Sequence, residues 1–383
     1  MSKQRQDFEK QLISEELFMI NNNNTNMEGK VKVVKLEQEI FSDDVCFEII
    51  SMIDDSWFIL NNCSLISKQF FNVIKERSKL VIKFKQKFTE TRIELCMKSQ
   101  FMNSIVNLKF SRRLLDSIQV KFITEMKQLK SLDISENRIG DEGAKFISEM
   151  KQLTSLDIGY NRIGVVGVKF INEMKHLTSL DISGNGIGDE GVKSISELKQ
   201  LTSLDFNNNR IGDKGAKSIS EMKHLTLLSI NNNHIGAEGA RFISEMKQLK
   251  SLSIYNNQIG DEGAKFINEM KQLTSLDISG NEIGVEGVIP ISEMKQLTSL
   301  EIGGNQIGDE GAKLISEMKQ LISLNIYNNQ IGIEGAKFIS EMKQLKSLYI
   351  GGNQIGDEGV KFISEMKQLT SLDIGYNEIV KDK

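Results

Sequence analysis

The chain reads as an α/β solenoid, a curved sheet of parallel strands inside and helices outside, preceded by a small helical unit. Three observations predict the solenoid. A 24-residue phrase close to L-x-x-L-D-I-x-x-N-x-I-G-D-E-G-A-K-F-I-S-E-M-K-Q recurs from Leu129 onward. An asparagine marks each copy without insertion or deletion: Asn137, Asn161, Asn185, Asn209, Asn233, Asn257, Asn281, Asn305, Asn329, Asn353 and Asn377. Within a copy, an alternating apolar pattern gives way to a helical one. A strict period of this length belongs to units that cannot bury an apolar face alone and therefore stack.

In the copy Leu129–Gln152, Leu129, Leu132 and Ile134 fall on one side of a short strand, with Ser131, Asp133 and Ser135 on the other. Asn137 ends the strand, where its side chain can satisfy backbone groups of its own turn and of the neighbouring copy. Gly140 and Gly143 are expected to bracket a tight turn, with the helix following Gly143. Asp141 and Glu142 stand where the helix dipole favours negative charge. Ala144, Ile147 and Met150 then face inward and Phe146 lies at the flank, leaving Lys145, Ser148, Glu149 and Lys151 as the solvated face. Pro290 takes the Phe146 position of its copy, near the helix start, where a missing N–H is tolerated.

Four regions follow from this pattern. Residues 1–40 read as a flexible tail and linker, with the low-complexity stretch Asn21–Asn26. Residues 41–80 carry three short apolar segments at helical spacing, enough for a small packed unit. Residues 81–128 form a degenerate capping repeat, in which Ile105, Leu108 and Phe110 occupy apolar positions and Arg113 replaces the asparagine. Residues 129–383 are the regular repeats, and the last copy is expected to end after its strand and turn at Ile379–Val380.

Two family resemblances rest on these residues. The repeat, with its helix-starting phrase Ile139-Gly140-Asp141-Glu142-Gly143-Ala144, resembles the ribonuclease-inhibitor-like type of leucine-rich repeat over about two thirds of the chain. The segment from Phe41 to Ile53, together with Cys63-Ser64-Leu65-Ile66-Ser67-Lys68-Gln69-Phe70, resembles an F-box, with Phe41 and Ser42 where that family has leucine and proline. The second resemblance implies a Skp-type adaptor as partner, met by Phe41, Val45, Ile49 and Ile53. It also implies a role as substrate-recognition subunit of a Skp-cullin-F-box ubiquitin ligase. The alternative is a stand-alone repeat scaffold or inhibitor with no ubiquitin-ligase role.

Composition narrows the function classes. The net charge is -4, and neither the repeats nor the region before them has the basic excess that phosphate binding requires, so nucleic acid is not the expected partner. No apolar run is long enough to span a membrane, and the three cysteines all precede the repeats, which fits a reducing cytoplasmic or nuclear setting. His176, His224 and His234 lack a nucleophile at catalytic spacing, and no metal-ligand or nucleotide motif is present, so neither enzyme activity nor a cofactor is expected. Departures from the common phrase point to recognition instead. The five tyrosines Tyr160, Tyr255, Tyr327, Tyr349 and Tyr376 all fall where the strand meets its turn, away from the core. Asp133, Asp157, Asp181 and Asp205 form a column of carboxylates across adjacent strands. Both sets are expected to bind an unidentified protein target.

Overall fold

The computed structural model describes residues 81–84, 105–110 and 112–377, all within one compact unit; of 81–84 only the backbone strand is described. The adaptor-contacting positions Phe41, Val45, Ile49 and Ile53 lie outside the described residues. Among those described, thirteen strands form one sheet in chain order, each parallel to the next. Ser131–Asp133 pairs with Ser155–Asp157, that strand with Ser179–Asp181, and so on to Ser371–Asp373, always residue for residue. The first strand, Val81–Phe84, pairs with Asn107–Phe110 at a longer step and has no marker in the repeat phrase.

The core is one layer of aliphatic side chains between sheet and helices. In the first regular copy Leu132, Ile134, Ile139, Ala144, Ile147, Met150 and Leu153 are all buried, and the pattern recurs copy after copy. Strands lie about 4.8 Å apart, whereas packed helices need roughly 8–10 Å. Helices of only seven to nine residues, one after each strand from Asn107–Phe110 to Ser347–Tyr349, therefore force the stack to curve with its strands inside.

Each asparagine joins two copies. The Asn161 Oδ1 accepts hydrogen bonds from the backbone N–H groups of Asn137 (3.0 Å) and Ile139 (3.3 Å). Its Nδ2 donates to the carbonyls of Ile134 (2.9 Å) and Gly159 (3.0 Å). Asn257 repeats the arrangement, fully buried, with Nδ2 on the carbonyls of Ile230, Ile254 and Tyr255 and Oδ1 on the N–H of Ile235. In Asn329, by contrast, the buried Oδ1 has no hydrogen-bond partner.

The helix starts differ from the sequence reading. The helix Gly140–Ser148 begins three residues before Gly143. Gly143 is buried inside it, because a Cβ there would stand 2.5 Å from the Ile139 Cβ. Ser148 belongs to the buried side, its hydroxyl donating to the Lys145 carbonyl. Pro290 is well inside the helix Val285–Ser292, beyond the first turn, and the helix continues without the hydrogen bond its N–H would have made.

Asp141 does more than meet its own helix dipole. Its Oδ1 accepts from the N–H groups of Gly164 (2.7 Å) and Gly167 (3.0 Å), capping the helix of the next copy. Asp189, Asp213, Asp261 and Asp309 do the same. The following glycine then has an extended backbone: Gly164, Gly212, Gly236, Gly284 and Gly332. Where the preceding copy has Ser117, Val165, Ala237, Val285 or Ile333 instead, the glycine turns left-handed: Gly140, Gly188, Gly260, Gly308 and Gly356. Four of these last five donate instead to an asparagine backbone carbonyl of the next copy, as Gly188 does to Asn209 (2.9 Å). One residue in one copy thus sets the backbone state of the next.

Two predictions follow from this bonding. Asn257→Ala should cost about 1–3 kcal/mol by leaving buried backbone groups unpaired, and Asn329→Ala should cost less; chemical denaturation of both variants measures the difference. Gly188→Ala, at φ +58 with open space around it, should lose about 1–2 kcal/mol from the left-handed backbone alone. Gly164→Ala, with its nearest neighbour atom at 3.6 Å, should be neutral or slightly stabilising, read as shifts in melting temperature.

Candidate recognition surface

The strand face away from the helices presents three columns of side chains, one per outward strand position and one just beyond. The central column runs Lys109, Asp133, Asp157, Asp181, Asp205, Ser229, Ser253, Asp277, Glu301, Asn325, Tyr349 and Asp373, each directly opposite the next in register. The sequence-predicted carboxylates Asp133, Asp157, Asp181 and Asp205 are therefore adjacent, one per strand. Asp133 is neutralised at the start of the row by an ion pair with Lys109, which in turn holds the lysine pKa above its usual value. The others each turn one oxygen back to the chain: Asp157 to the N–H of Gly159, Asp181 to that of Ser183, Asp205 to that of Asn207.

Crowding leaves its mark on their acidity. Burial, then the charges of Asp181 and Asp133, push the Asp157 carboxyl up to about 7. Burial and the charge of Asp181 push Asp205 up to about 7. Further along, Glu301 is also raised, by burial and by Asp277. Among the described residues, these acids are held close together without enough cations to balance them.

The tyrosines fall into three positions. Tyr349 stands in the central column, opposite Asn325 and Asp373. Tyr255 and Tyr327 occupy the position two residues on, beyond the strand. Tyr160 and Tyr376 sit one further, at the left-handed turn residue. Tyr160, Tyr255, Tyr327 and Tyr349 are between 41 and 49% exposed, and Tyr376 almost fully. Three of them lie against a glycine of the next copy: a Cβ would stand 2.4 Å from the Tyr160 ring at Gly184, 3.1 Å from Tyr255 at Gly280 and 2.8 Å from Tyr327 at Gly352. The Tyr160 hydroxyl also accepts from the Asn208 Nδ2 at 2.9 Å, spanning two copies. These rings are pinned in place while part of each remains exposed to solvent. The sequence reading missed this pairing, although glycine at 184, 280 and 352, each in the copy after a tyrosine, was its signal.

Also missed was Leu227. The first outward column is serine from Ser131 to Ser371 except at this leucine, which is 47% exposed. Leu227 lines a shallow depression of about 330 Å³ with Ser179, Asp181, Ser203, Asp205 and Ser229. Among the described residues, no group of three or more His, Cys, Asp and Glu side chains could hold a metal ion, and no helix is long and apolar enough to cross a membrane.

A family model described as leucine-rich repeat region matches residues 99–336 and 159–383. The chain belongs to the leucine-rich repeat family. Two solved structures share the fold. An internalin of Listeria monocytogenes is 21% identical, covering 82% of this chain and 92% of its own, with a TM-score of 0.56. A chain of the TLR13–ssRNA13 complex is 20% identical over 77% of this chain and 43% of its own, with a TM-score of 0.51. A Leptospira interrogans LRR protein is 21% identical over 73% and 80%, with a TM-score of 0.49. No curated protein matches the chain.

The acidity of the repeat face makes a pH prediction. The folded state raises Asp157 and Asp205 from the ordinary carboxylate value near 4 to about 7. Between those values the folded chain binds more protons than the unfolded chain, so these groups make stability fall as pH rises through that window. Melting temperature should therefore be higher near pH 5.5 than near pH 7.5. The Asp157→Asn, Asp205→Asn double variant should flatten that part of the profile.

Proposed function

We propose that this leucine-rich repeat chain recognises a protein target on its strand face, as the target-selecting subunit of a Skp-cullin-F-box ubiquitin ligase in the cytoplasm or nucleus. The observation that carries the recognition reading is the combination on one face of pinned, half-open tyrosine rings with an under-neutralised row of carboxylates. Rigid aromatics lose little freedom on binding and are favoured at interface hot spots. The carboxylates suit lysine and arginine through charge-assisted hydrogen bonds, and tyrosine rings suit the same cations through their faces. The same row repels phosphate, which disfavours a polyanionic ligand.

The ligase reading is supported by the F-box-like pattern of Phe41–Ile53 and Cys63–Phe70. In it, Phe41, Val45, Ile49 and Ile53 dock a Skp-type adaptor, and Tyr160, Tyr255, Tyr327, Tyr349, Tyr376 and the aspartate row hold the target. The chain itself performs no chemistry in this reading.

Affinity purification of the intact chain, read for Skp and cullin, tests it. Ile49→Asp should abolish Skp co-purification and leave the thermal unfolding of the repeats unchanged. Tyr327→Ala with Tyr349→Ala should weaken target capture by about 2 kcal/mol or more while Skp is retained. A wild-type chain that captures no Skp removes the ligase reading. Target capture that cross-links to the helical side removes the strand-face reading.

A further inference from the structure

We propose that the strand face from Asp157 to Leu227 takes an α-helix of the protein partner, laid across the strands, with lysine or arginine at three successive turns and an apolar side chain at the fourth. This rests on the strand-face reading above and specifies the chemistry of the partner. The open row begins at Asp157, because Asp133 is already paired with Lys109. Asp157, Asp181 and Asp205 stand opposite one another on consecutive strands. Leu227 is on the next strand, opposite Ser203. The second oxygens of Asp157 and Asp181 have no hydrogen-bond partner among the described residues, and neither Asp181 nor Asp205 has an ion pair there. The half-exposed Leu227 supplies an apolar contact at the far end, in a column otherwise made of serine.

Spacing decides what kind of segment fits. Two strand steps, from Asp157 to Asp205, span about 10 Å; Leu227 lies a third step on and two residues back along its strand, about 16 Å from Asp157, so the helix crosses the strands obliquely. Side chains on one face of an α-helix recur at i, i+4, i+7 and i+11, which at 1.5 Å per residue places them over about 10 Å and about 16 Å. An extended segment puts same-side residues roughly 6.7 Å apart, so two steps need about 13 Å and three about 20 Å. The strand slips out of register by the third contact; the helix stays within about 2 Å across all four. Either direction of the helix satisfies the row.

Two synthetic peptides of identical composition test this on the full chain by fluorescence anisotropy. One carries lysine at i, i+4 and i+7 and leucine at i+11; the other carries the same residues at i, i+2, i+4 and i+6. The first should bind about tenfold more tightly than the second. Asp157→Asn with Asp205→Asn should reduce its binding about tenfold, and Leu227→Ser severalfold. Asp373→Asn, outside the row, should leave it unchanged. Asparagine keeps an acceptor for the Gly159 and Asn207 N–H groups, and an unaltered circular dichroism spectrum verifies the fold of each variant. Equal binding of the two peptides shows charge without register and overturns the inference, as does undiminished binding to the double variant or no binding of either peptide. The tyrosine variants and cross-linking of captured target decide the broader strand-face reading independently.

Discussion

Completion of each copy's turn by a side chain from its neighbour is the constraint on which the molecule depends. The strand-to-helix turn brings several backbone N–H and carbonyl groups into the buried zone, where unpaired groups are costly. A turn of this length cannot satisfy them itself. Asn161 serves the N–H groups of Asn137 and Ile139, and Asp141 serves those of Gly164 and Gly167. The bonds reach both up and down the stack, so a single copy is incomplete without the copies on either side. Stability is then carried by interfaces between neighbours, as in other solenoids.

The same constraint explains where the chain is free to vary. Core, asparagine and buried-glycine positions are bound by packing or by cross-copy hydrogen bonds. Only the outward strand positions, the turn residues beyond them and the solvated helix positions can change without breaking a neighbour. Tyrosines, Leu227 and the carboxylates all occur in the first two of these. Their exchange is not wholly free: a tyrosine that lies along the face takes the space of a side chain in the next copy, and glycine stands there.

The acidic row shows how such a surface stays unsatisfied in the isolated chain. Strand spacing brings like charges together, partial burial removes water from them, and among the described residues only Lys109 answers, at one end. In the recognition we propose, a cation brought by the partner relieves this repulsion, so the electrostatic cost in the free chain becomes a source of complementarity in the complex.

The solenoid, the parallel register, the inward aliphatics and the asparagine ladder are all legible in the amino-acid pattern, because they are consequences of a period without insertions and of side-chain alternation. The same pattern placed the tyrosines and aspartates on the outward side. Helix starts were misread, since Gly143 looks like a turn residue until the close approach of Ile139 shows it to be a packing residue inside the helix. The first strand, Val81–Phe84, was invisible because it lacks the phrase. Contacts in the folded chain set which neighbour Asp141 caps, which glycines turn left-handed, which tyrosine rests on which glycine, and how strongly the carboxylates perturb one another. Each of these depends on atoms about one copy apart in sequence but in contact in space, a relation that a repeat period announces without saying which side chain reaches which backbone group.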